Sequence, residues 1–232
     1  MKLAVISDIH GNIYALMKAL EDIDDQNIDK IICLGDLVGY GPHPNEVVAL
    51  IKRREIPCIK GNYDASVVDG DFTYIRNTTI NSFALPWASN EVRVANKYFL
   101  DSLPTSLKYT FNGVNFLFTH GSPNAINDYL FEDAANTIEV MNKLEDDVLV
   151  CAHTHIPCAK KYGNKLLINV GSVGKPKIGK PNPTYAIIEI EDNGEVKVTF
   201  RYLEYEFKRI VKDCTMLNFP ASITSSYETG KE

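Results

Sequence analysis

The chain has 232 residues, of which 45% are hydrophobic and 23% are charged, and its formal net charge is −6. This balance predicts a globular protein with a substantial core, and it excludes collagen-like, low-complexity and disordered chains. The acidic charge is also untypical of proteins that bind duplex nucleic acid over a broad surface, so no stable nucleic-acid partner is expected.

The first part of the chain alternates strands and helices. Residues 2–7 have the continuous apolar run of a buried strand, which meets Asp8 at once and lacks the cleavage site of a signal peptide. The elements predicted after it are a helix at 12–25, a strand at 31–34, a helix at 44–54 and a strand at 57–60. The order is therefore βαβαβ.

The remaining sequence, from residue 65 onward, no longer alternates strands and helices regularly. Residues 65–103 have a helical pattern without strands, most clearly at 90–100, and Asn112-Gly113 marks a hairpin between strands 107–111 and 114–118. A helix at about 133–144 precedes strands predicted at 148–151, 159–162, 166–170, 185–190 and 196–203. We predict an α/β fold in which two mixed β-sheets pack together with helices outside. A single domain spans residues 1–232, and 207–232 form an edge helix and a tail.

Cysteine usage indicates the compartment. The five cysteines are an odd number scattered along the chain, which is untypical of a disulfide framework, and they are Cys33, Cys58, Cys151, Cys158 and Cys214. No apolar run approaches the length of a membrane span, so no membrane partner is expected. We therefore expect reduced thiols and a cytoplasmic protein.

Metal-ligating side chains recur where predicted strands end. In open α/β sheets, the loops after the strands converge on one crevice, so these side chains are expected to meet. Imidazoles together with hard oxygen donors suit manganese, iron, zinc or nickel. The candidate ligands are Asp8, His10, Asp36, Asn62, His120, His153 and His155.

The series DIHGN, GDLVGYG, GNYD, THG and AHTH, in this order and spacing, resembles the motif set of calcineurin-like metallophosphoesterases. That family carries a two-metal site on a four-layer αββα sandwich. The segments at 39–46 (GYGPHPNE) and 169–176 (NVGSVGKP) are similar to its compact bacterial and archaeal phosphodiesterase branch, which includes relatives of dinucleoside tetraphosphatases. The resemblance runs from Asp8 to Pro176.

The resemblance implies two divalent transition metals bridged by Asp36, with manganese expected first and iron, zinc, nickel or cobalt as alternatives. Asp8, His10 and His155 would bind one metal, and Asn62, His120 and His153 the other. The implied mechanism is attack on phosphorus by a metal-bound hydroxide, which requires no protein nucleophile. The expected partner is a small phosphorylated substrate, including nucleotides.

The third motif departs from the family pattern. Its usual histidine, thought to protonate the leaving oxygen, is replaced by Tyr63 in GNYD. Tyrosine can donate a hydrogen bond, but its ordinary pKa near 10 suits general-acid work at neutral pH less well. We expect substrates with good leaving groups, whose rates fall steeply as the leaving-group pKa rises.

Four further residues are candidate substrate contacts. Tyr40 can stack on a base or be an ordinary half-buried aromatic, and His43 can lie at the cleft rim or titrate freely near a helix start. Ser172 and Lys175, in the turn-rich GSVGK stretch, can face a phosphate, although such lysines are usually solvated.

Several functions remain open on this pattern. A phosphodiesterase or nucleotide pyrophosphohydrolase is favoured, while a phosphomonoesterase or a nuclease could use the same site. A third class is a non-catalytic, metal-binding interaction scaffold, and the oligomeric state is open. The segment from Cys151 to Cys158 also permits a compact zinc knuckle, but its spacing does not match zinc fingers.

Overall fold

The computed structural model describes residues 1–231, which form nine strands and eight helices. The strands are β1 (Lys2–Ile6), β2 (Lys30–Cys33), β3 (Ser106–Phe111), β4 (Val114–Thr119), β5 (Val148–Cys151), β6 (Cys158–Tyr162), β7 (Lys165–Asn169), β8 (Thr184–Ile190) and β9 (Val196–Tyr202). The helices are α1 (Ile13–Asp24), α2 (Pro44–Arg53), α3 (Asn62–Asp69), α4 (Thr79–Glu91), α5 (Val94–Ser102), α6 (Ala135–Lys143), α7 (Phe207–Met216) and α8 (Ala221–Thr229). Within residues 1–231, no helix has the length and apolar character needed to cross a membrane.

The strands form two mixed sheets. The first has the order β2-β1-β8-β9, in which β1 is parallel to β2 and antiparallel to β8. The second has the order β3-β4-β5-β7-β6, with a parallel centre of β4, β5 and β7 and an antiparallel strand at each edge. Parallel neighbours bring the carboxyl ends of β1 and β2 to one edge, and those of β4 and β5 to another.

The main core lies between the two sheets. Leu3 and Val5 of β1 point into it, where they share one apolar cluster with Phe116 and Phe118 of β4. Because successive side chains of a strand alternate between faces, the residues between them face the other way. Ala4, for example, belongs to the cluster that packs against the helices.

Helices cover both outer faces. α1 and α2 pack on the first sheet through a buried stripe that includes Leu16 and Val48. α6 packs on the second sheet, where Met141 meets Leu149 and Leu167. The layer order is therefore helix, sheet, sheet, helix, which confirms the predicted fold class.

Three predicted elements differ from the structure. Residues 57–60 form no strand but a single bridge between Cys33 and Cys58. The helix predicted at 90–100 is divided, because Val92 and Arg93 adopt extended backbone between α4 and α5. The predicted tail within 207–232 contains α8, whose Ile223 and Tyr227 are buried. A spacing of four residues places both on one helix face, and the last residue, 232, lies outside the described part.

A clamp of partly buried hydrogen bonds holds α1 to the first sheet. Asp22 accepts hydrogen bonds from the Tyr185 hydroxyl at 2.6 Å and from Arg201 Nη2 at 2.7 Å. We expect Asp22→Ala to lower the free energy of unfolding by about 2 kcal/mol, since it removes charged hydrogen bonds and leaves the Tyr185 hydroxyl without this acceptor. Denaturant melts measure this, and Asp24→Ala is the control. Asp24 pairs with Arg54 in a more exposed bridge, for which about 0.5 kcal/mol is expected.

The same clamp has a defined pH dependence. The Arg201 hydrogen bond lowers the pKa of Asp22, so the carboxylate is favoured in the folded state. The contribution of Asp22 to the free energy of unfolding is therefore complete above its unfolded-state pKa of about 4, and it is lost as the pH falls through the lower folded-state pKa. The difference in stability between the native protein and Asp22→Ala should shrink below that pH; a constant difference would contradict the assignment.

Candidate metal centre

Six of the seven candidate ligands lie on loops at the carboxyl ends of strands, whereas Asn62 is the first residue of α3. Asp8 and His10 follow β1 directly, Asp36 follows β2, and the backbone N–H groups of Ile9 and His10 both donate to Asp36 O at 2.9 Å. His120 follows β4. Ala152 N, just after β5, donates to His120 O at 2.9 Å, so the loops of each sheet are tied side by side.

The backbone at these ligands is strained. Five candidate ligands have φ between 48° and 65°, in the left-handed region that non-glycine residues seldom adopt. They are Asp8, His10, Asp36, His153 and His155. A left-handed residue with a Cβ atom costs roughly 1 kcal/mol, and clusters of such residues occur at functional sites. The fold therefore holds these side chains in orientations that relaxed loops would not give.

Two glycines permit the closest approach of the loops. A Cβ atom on Gly61 would collide with the Asp36 backbone and carboxylate, and one on Gly35 would collide with the Gly61 backbone. The start of α3 therefore lies directly against the loop after β2. This contact allows the Tyr63 N–H to donate to Asp36 Oδ1 at 2.8 Å. The carboxylate is oriented by backbone, and its second oxygen faces the histidines.

The side chains form two groups of three, each with ligand atoms within 4.8 Å of one another. The groups are Asp8, His10 and His155, and Asp36, His120 and His153. All six are buried. Asp36 Oδ2 lies 3.3 Å from His120 Nε2 and 3.6 Å from His10 Nε2, so it reaches both groups.

Backbone carbonyls determine the tautomers of three imidazoles. The Nδ1 atoms of His10, His120 and His155 lie 3.0, 2.7 and 2.5 Å from the carbonyl oxygens of Val38, Leu34 and Lys175. Since a carbonyl only accepts, each Nδ1 carries a proton, and each Nε2 has a lone pair whenever its ring is neutral. This pattern is typical of metal-ligating histidines.

The inward-facing atoms require positive charge between them. His10 Nε2 and His155 Nε2 are 3.3 Å apart, and His120 Nε2 is 2.9 Å from Asn62 Oδ1, so acceptors face acceptors when the rings are neutral. Asn62 Nδ2 donates to Tyr74 O, which turns the amide oxygen toward His120. In residues 1–231, the buried atoms Asp8 Oδ1, Asp36 Oδ2 and His153 Nε2 have no hydrogen-bond partner. This donor set fits two divalent cations.

The ionisation of the cluster agrees with this fit. Burial opposes a charge on Asp8, but His155 and His10 lower its pKa well below the usual range. Burial alone would lower the pKa of His120, whereas Asp36 and Asp8 raise it to about 10. Burial lowers the pKa of His153 to about 3 and that of His155 to about 4. The carboxylates are thus charged, and His153 and His155 are neutral at pH 7. The raised pKa of His120 means that its Nε2 takes up a positive charge beside Asp36, a proton where no cation is bound.

Asp64 holds the two adjacent loops together. Its carboxylate accepts from Leu37 N at 2.9 Å and from Gly61 N at 3.0 Å. Burial, together with the charge of Asp36, raises the pKa of Asp64 to about 7. Asp64 therefore caps α3 and positions Asp36.

Tyr63, the predicted proton donor, is bound within a network. Its hydroxyl donates to Asn81 Oδ1 at 2.6 Å and is hydrogen-bonded to the Tyr40 hydroxyl. Asn81 Nδ2 donates to Arg76 O, so the amide oxygen faces Tyr63. A phenol has one proton, and an amide oxygen only accepts, so this proton is directed at Asn81. Burial and Tyr40 also raise the pKa of Tyr63 well above 10.

We expect Tyr63→Phe to change kcat by less than about threefold, because the hydroxyl is committed to Asn81. The slope of log kcat against leaving-group pKa, measured on a series of aryl phosphodiesters, should stay steep and unchanged. The stability should fall by about 1 kcal/mol through loss of a buried hydrogen bond. A slope that is shallower for poor leaving groups in the native protein than in Tyr63→Phe would instead identify Tyr63 as the acid.

The predicted substrate contacts separate into two sets. Tyr40 lines the cavity in front of the metal-binding groups, whereas His43 does not line it. His43 Nε2 pairs with Asp213 Oδ2 at 2.9 Å, and Asp213 belongs to α7, which packs against α1. Ser172 and Lys175 are buried behind the cavity, where the Ser172 hydroxyl donates to Asp8 O at 2.8 Å. They support the loop after β1 instead of facing a ligand.

Lys175 contributes through Tyr40. Its ammonium lies 4.6 Å from the centre of the Tyr40 ring, a cation–π contact. The edge of the His10 imidazole also packs on Tyr40, with 4.8 Å between ring centres. Tyr40 is therefore clamped between a candidate ligand and a buried cation.

The cavity brings in residues that the motif pattern did not predict. It has a volume of about 160 Å³ and reaches Asn62, His153 and His155 at its base. Its walls also include Arg76, Asn127, Tyr129 and Lys177. Arg76, Asn127 and Tyr129 follow no strand within a recognisable motif, so their position carried no signal in the sequence. Lys177 did have a signal, because it follows the turn-rich GSVG stretch, whose lysines can face a phosphate.

Comparisons with known proteins agree with this geometry. The family described as "Calcineurin-like phosphoesterase superfamily domain" matches residues 1–193. An uncharacterized protein of Methanocaldococcus jannaschii is 35% identical over 224 residues, which cover 89% of each chain. Phosphodiesterase YfcE of Escherichia coli K12 is 27% identical over 209 residues, covering 83% of this chain and 94% of YfcE.

Solved structures share the whole fold. A metallophosphoesterase from Sphaerobacter thermophilus superposes with a TM-score of 0.83 at 26% identity, covering 99% of both chains. A hypothetical protein from Pyrococcus horikoshii OT3 superposes with a TM-score of 0.89 at 23% identity, covering 100% of this chain and 99% of that one. The architecture, including α7 and α8, is thus shared over essentially the full length.

Proposed function

The chain belongs to the calcineurin-like phosphoesterase superfamily, and on this basis we propose that it hydrolyses small phosphodiesters with two bound divalent metal ions. The expected resemblance is thereby confirmed, and the chain is a phosphoesterase of this superfamily. We propose three finer points: diesters as substrates, a two-metal mechanism and a cytoplasmic location. The location is inferred from the five unpaired cysteines in residues 1–231.

The residues that would hold the metals are those of the two groups. We assign Asp8, His10 and His155 to one ion, and His120 with His153 and Asn62 to the other. Asp36 would bridge them, since its outer oxygen lies near a histidine of each group. Manganese is the first candidate, because the set mixes imidazole with hard oxygen donors. When bound, the ions would polarise the phosphoryl group and activate water.

The observation that carries this proposal is the position of the cavity. It opens onto Asn62, His153 and His155, so both candidate metal positions can reach one bound phosphate. Its volume of about 160 Å³ is close to that of a cavity that holds a benzene ring, roughly 150 Å³. A phosphoryl group and a small part of its substituents fit inside. A nucleic-acid strand needs a long basic groove, and a cavity of this size does not provide one.

Two further points favour diesters with good leaving groups. The curated relative YfcE is named a phosphodiesterase. In this chain, Tyr63 directs its proton to Asn81, so the site offers no obvious acid at that position. A substrate whose leaving group needs little protonation suits such a site.

The test is a substrate panel with manganese-loaded protein. Bis(p-nitrophenyl) phosphate should be hydrolysed with a higher kcat/KM than p-nitrophenyl phosphate. A preference for the monoester would replace our proposal with a phosphomonoesterase. Absence of hydrolysis with manganese, nickel, cobalt, zinc and iron, while metals still bind, would favour the non-catalytic scaffold.

A further inference from the structure

The last two helices pack behind the candidate metal centre. We call α7 and α8 the C-terminal helix pair; they pack on each other and lie beyond residues 1–193, the part that the family domain matches. Ile210 of α7 and Ile223 of α8 are buried in one apolar cluster with Tyr40 and Tyr63. Tyr63 is the neighbour of the candidate ligand Asn62 in the chain. The helix pair therefore contacts residues of the site itself.

Asp213 of α7 binds the starts of two other helices. The Tyr14 hydroxyl, at the start of α1, donates to Asp213 Oδ2 at 2.6 Å, and His43 Nε2, just before α2, donates to the same oxygen at 2.9 Å. Burial opposes a charge on Asp213, but the hydrogen bonds from Tyr14 and His43 lower its pKa, so the carboxylate is ionised at pH 7. The Tyr14 and His43 rings also pack edge to face, with 5.4 Å between their centres. One oxygen atom therefore joins the start of α1 to the start of α2.

Each of these helix starts is the end of a loop that bears candidate ligands. His10 lies in the loop between β1 and α1, and Asp36 lies in the loop between β2 and α2. The two loops are joined near their ends, because His43 N donates to Gly11 O at 3.0 Å. His10 and Asp36 have left-handed backbone, with φ of 48° and 52°, and such strained residues persist only where the surrounding structure holds them. A shift of either helix start would therefore change the spacing between His10 and Asp36.

The same end of the chain also reaches a third loop, between β7 and β8. Tyr205, just before α7, accepts a hydrogen bond at its hydroxyl from Asn12 Nδ2 at 3.0 Å. Asn12 Nδ2 also donates to Gly174 O at 2.9 Å, so Tyr205 lies where two loops meet. Directly after α8, Gly230 O accepts from Gly179 N at 2.9 Å. The helix pair and its flanking residues are thus held against three loops.

We propose that Asp213 is a positioning residue for the metal site, which acts through Tyr14 and His43 to fix the spacing of the loops after β1 and β2. The inference rests on the phosphoesterase function proposed above and adds to it a residue outside the family domain match. Asp213 does not line the cavity, so its effect passes through its two partners. Residues that orient metal ligands from outside typically change metal affinity or activity by roughly 10- to 100-fold. Because Asp213 lies one contact further out, we expect losses at the low end of that range.

The test replaces Asp213 by Ala in the full chain, at a temperature well below the melting transition. In calorimetry, the Kd for manganese should rise roughly fivefold. With saturating manganese, kcat for bis(p-nitrophenyl) phosphate should fall roughly tenfold while KM stays within about twofold, because the spacing of the ligands changes but the cavity walls do not. A lower melting temperature with an unchanged Kd and kcat would identify Asp213 as an anchor for the helix pair and overturn the proposal.

The matched control is Glu206→Ala. Glu206 directly precedes α7, its side chain is exposed, and its carboxylate lies 4.0 Å from Arg209 Nη1. Its replacement removes one negative charge from the same end of the chain without touching Tyr14 or His43. The manganese Kd, kcat and KM should all stay at their native values, and losses equal to those of Asp213→Ala would overturn the specific role of Asp213.

Two further variants test the route through Tyr14 and His43. Asp213→Asn keeps an amide oxygen that can accept both hydrogen bonds, so kcat and the manganese Kd should stay within about threefold of native. The double variant Tyr14→Phe/His43→Ala should reproduce the losses of Asp213→Ala, and adding Asp213→Ala to it should change kcat by less than about twofold. Losses that multiply, or an Asp213→Asn variant as impaired as Asp213→Ala, would overturn the proposal.

Manganese binding separates this inference from the proposed function. If the native protein binds manganese but hydrolyses no phosphoester, the proposed function fails, and the manganese Kd of Asp213→Ala still decides whether Asp213 positions the ligands. If the native protein is active and Asp213→Ala matches it in both Kd and kcat, the positioning role fails alone.

Discussion

Replacing Asp36 by Asn is expected to lower kcat on every phosphoester substrate by roughly 10³-fold or more. The side chain keeps its shape and can still accept from Tyr63 N, but it loses the charge that faces His10 and His120. A bridging ligand contributes to both ions at once, and loss of several kcal/mol of transition-state stabilisation corresponds to this factor. Steady-state kinetics with saturating manganese measure it.

The same variant should also lose stability without metal. Burial and the charge of Asp8 oppose the charge on Asp36, but His120 and His10 outweigh them and lower the pKa of Asp36, so a neutral amide loses a net favourable interaction at pH 7. The metal-free variant should melt at a temperature below that of the metal-free native protein. Asp133→Asn, at an exposed surface pair with Lys160, should change neither property. Near-normal rates in Asp36→Asn would contradict the ligand assignment.

Removal of metal is expected to abolish activity and to lower the melting temperature by roughly 5–10 °C for each ion lost. An ion present at 100 times its Kd stabilises the folded state by about 2.7 kcal/mol, and for a chain of this size 1 kcal/mol corresponds to about 2–4 °C. The effect should be large because the cluster without a cation holds two buried carboxylates beside facing acceptors. Calorimetric scans before and after treatment with a chelator measure it.

Re-addition of manganese should restore both properties in the native protein. In Asp36→Asn, the stabilisation by manganese should be much smaller, since the ligand shared by the two groups has lost its charge. Identical melting curves with and without chelator, in a protein that keeps its activity, would show that the cluster holds no catalytic metal.

Much of the candidate site could be predicted because its residues obey a local rule. Asp8, Asp36 and His120 each lie within three residues of the end of an apolar strand, so alternating strands and helices place them on one crevice whatever the details of packing. The division of His153 and His155 between the two groups was implied by the family resemblance. The fold class could be predicted for the same reason, since strand periodicity survives tertiary context.

The remainder depended on contacts between distant residues. Arg76 and Tyr129 belong to irregular segments, and only packing against His153 reveals that they line the cavity. Ser172 and Lys175 were expected near substrate, but the sequence does not tell which side of the loop they face. The break between α4 and α5 was also missed, because its residues Val92 and Arg93 are compatible with a helix and only extended backbone there separates the two.

The place of β1 in its sheet has a consequence for how the chain folds. β1 pairs with β2 on one side, but its other neighbour is β8, which lies near the far end of the chain. During synthesis, the apolar edge of β1 therefore stays unpaired until most of the protein has been made, and closing so long a loop is slow. We expect the first sheet to assemble late and in a concerted step. Before that step, β1 exposes an unpaired, aggregation-prone strand edge. Asp8 reaches His153 N across 145 residues only after that step, so the ability to bind metal should appear last in folding.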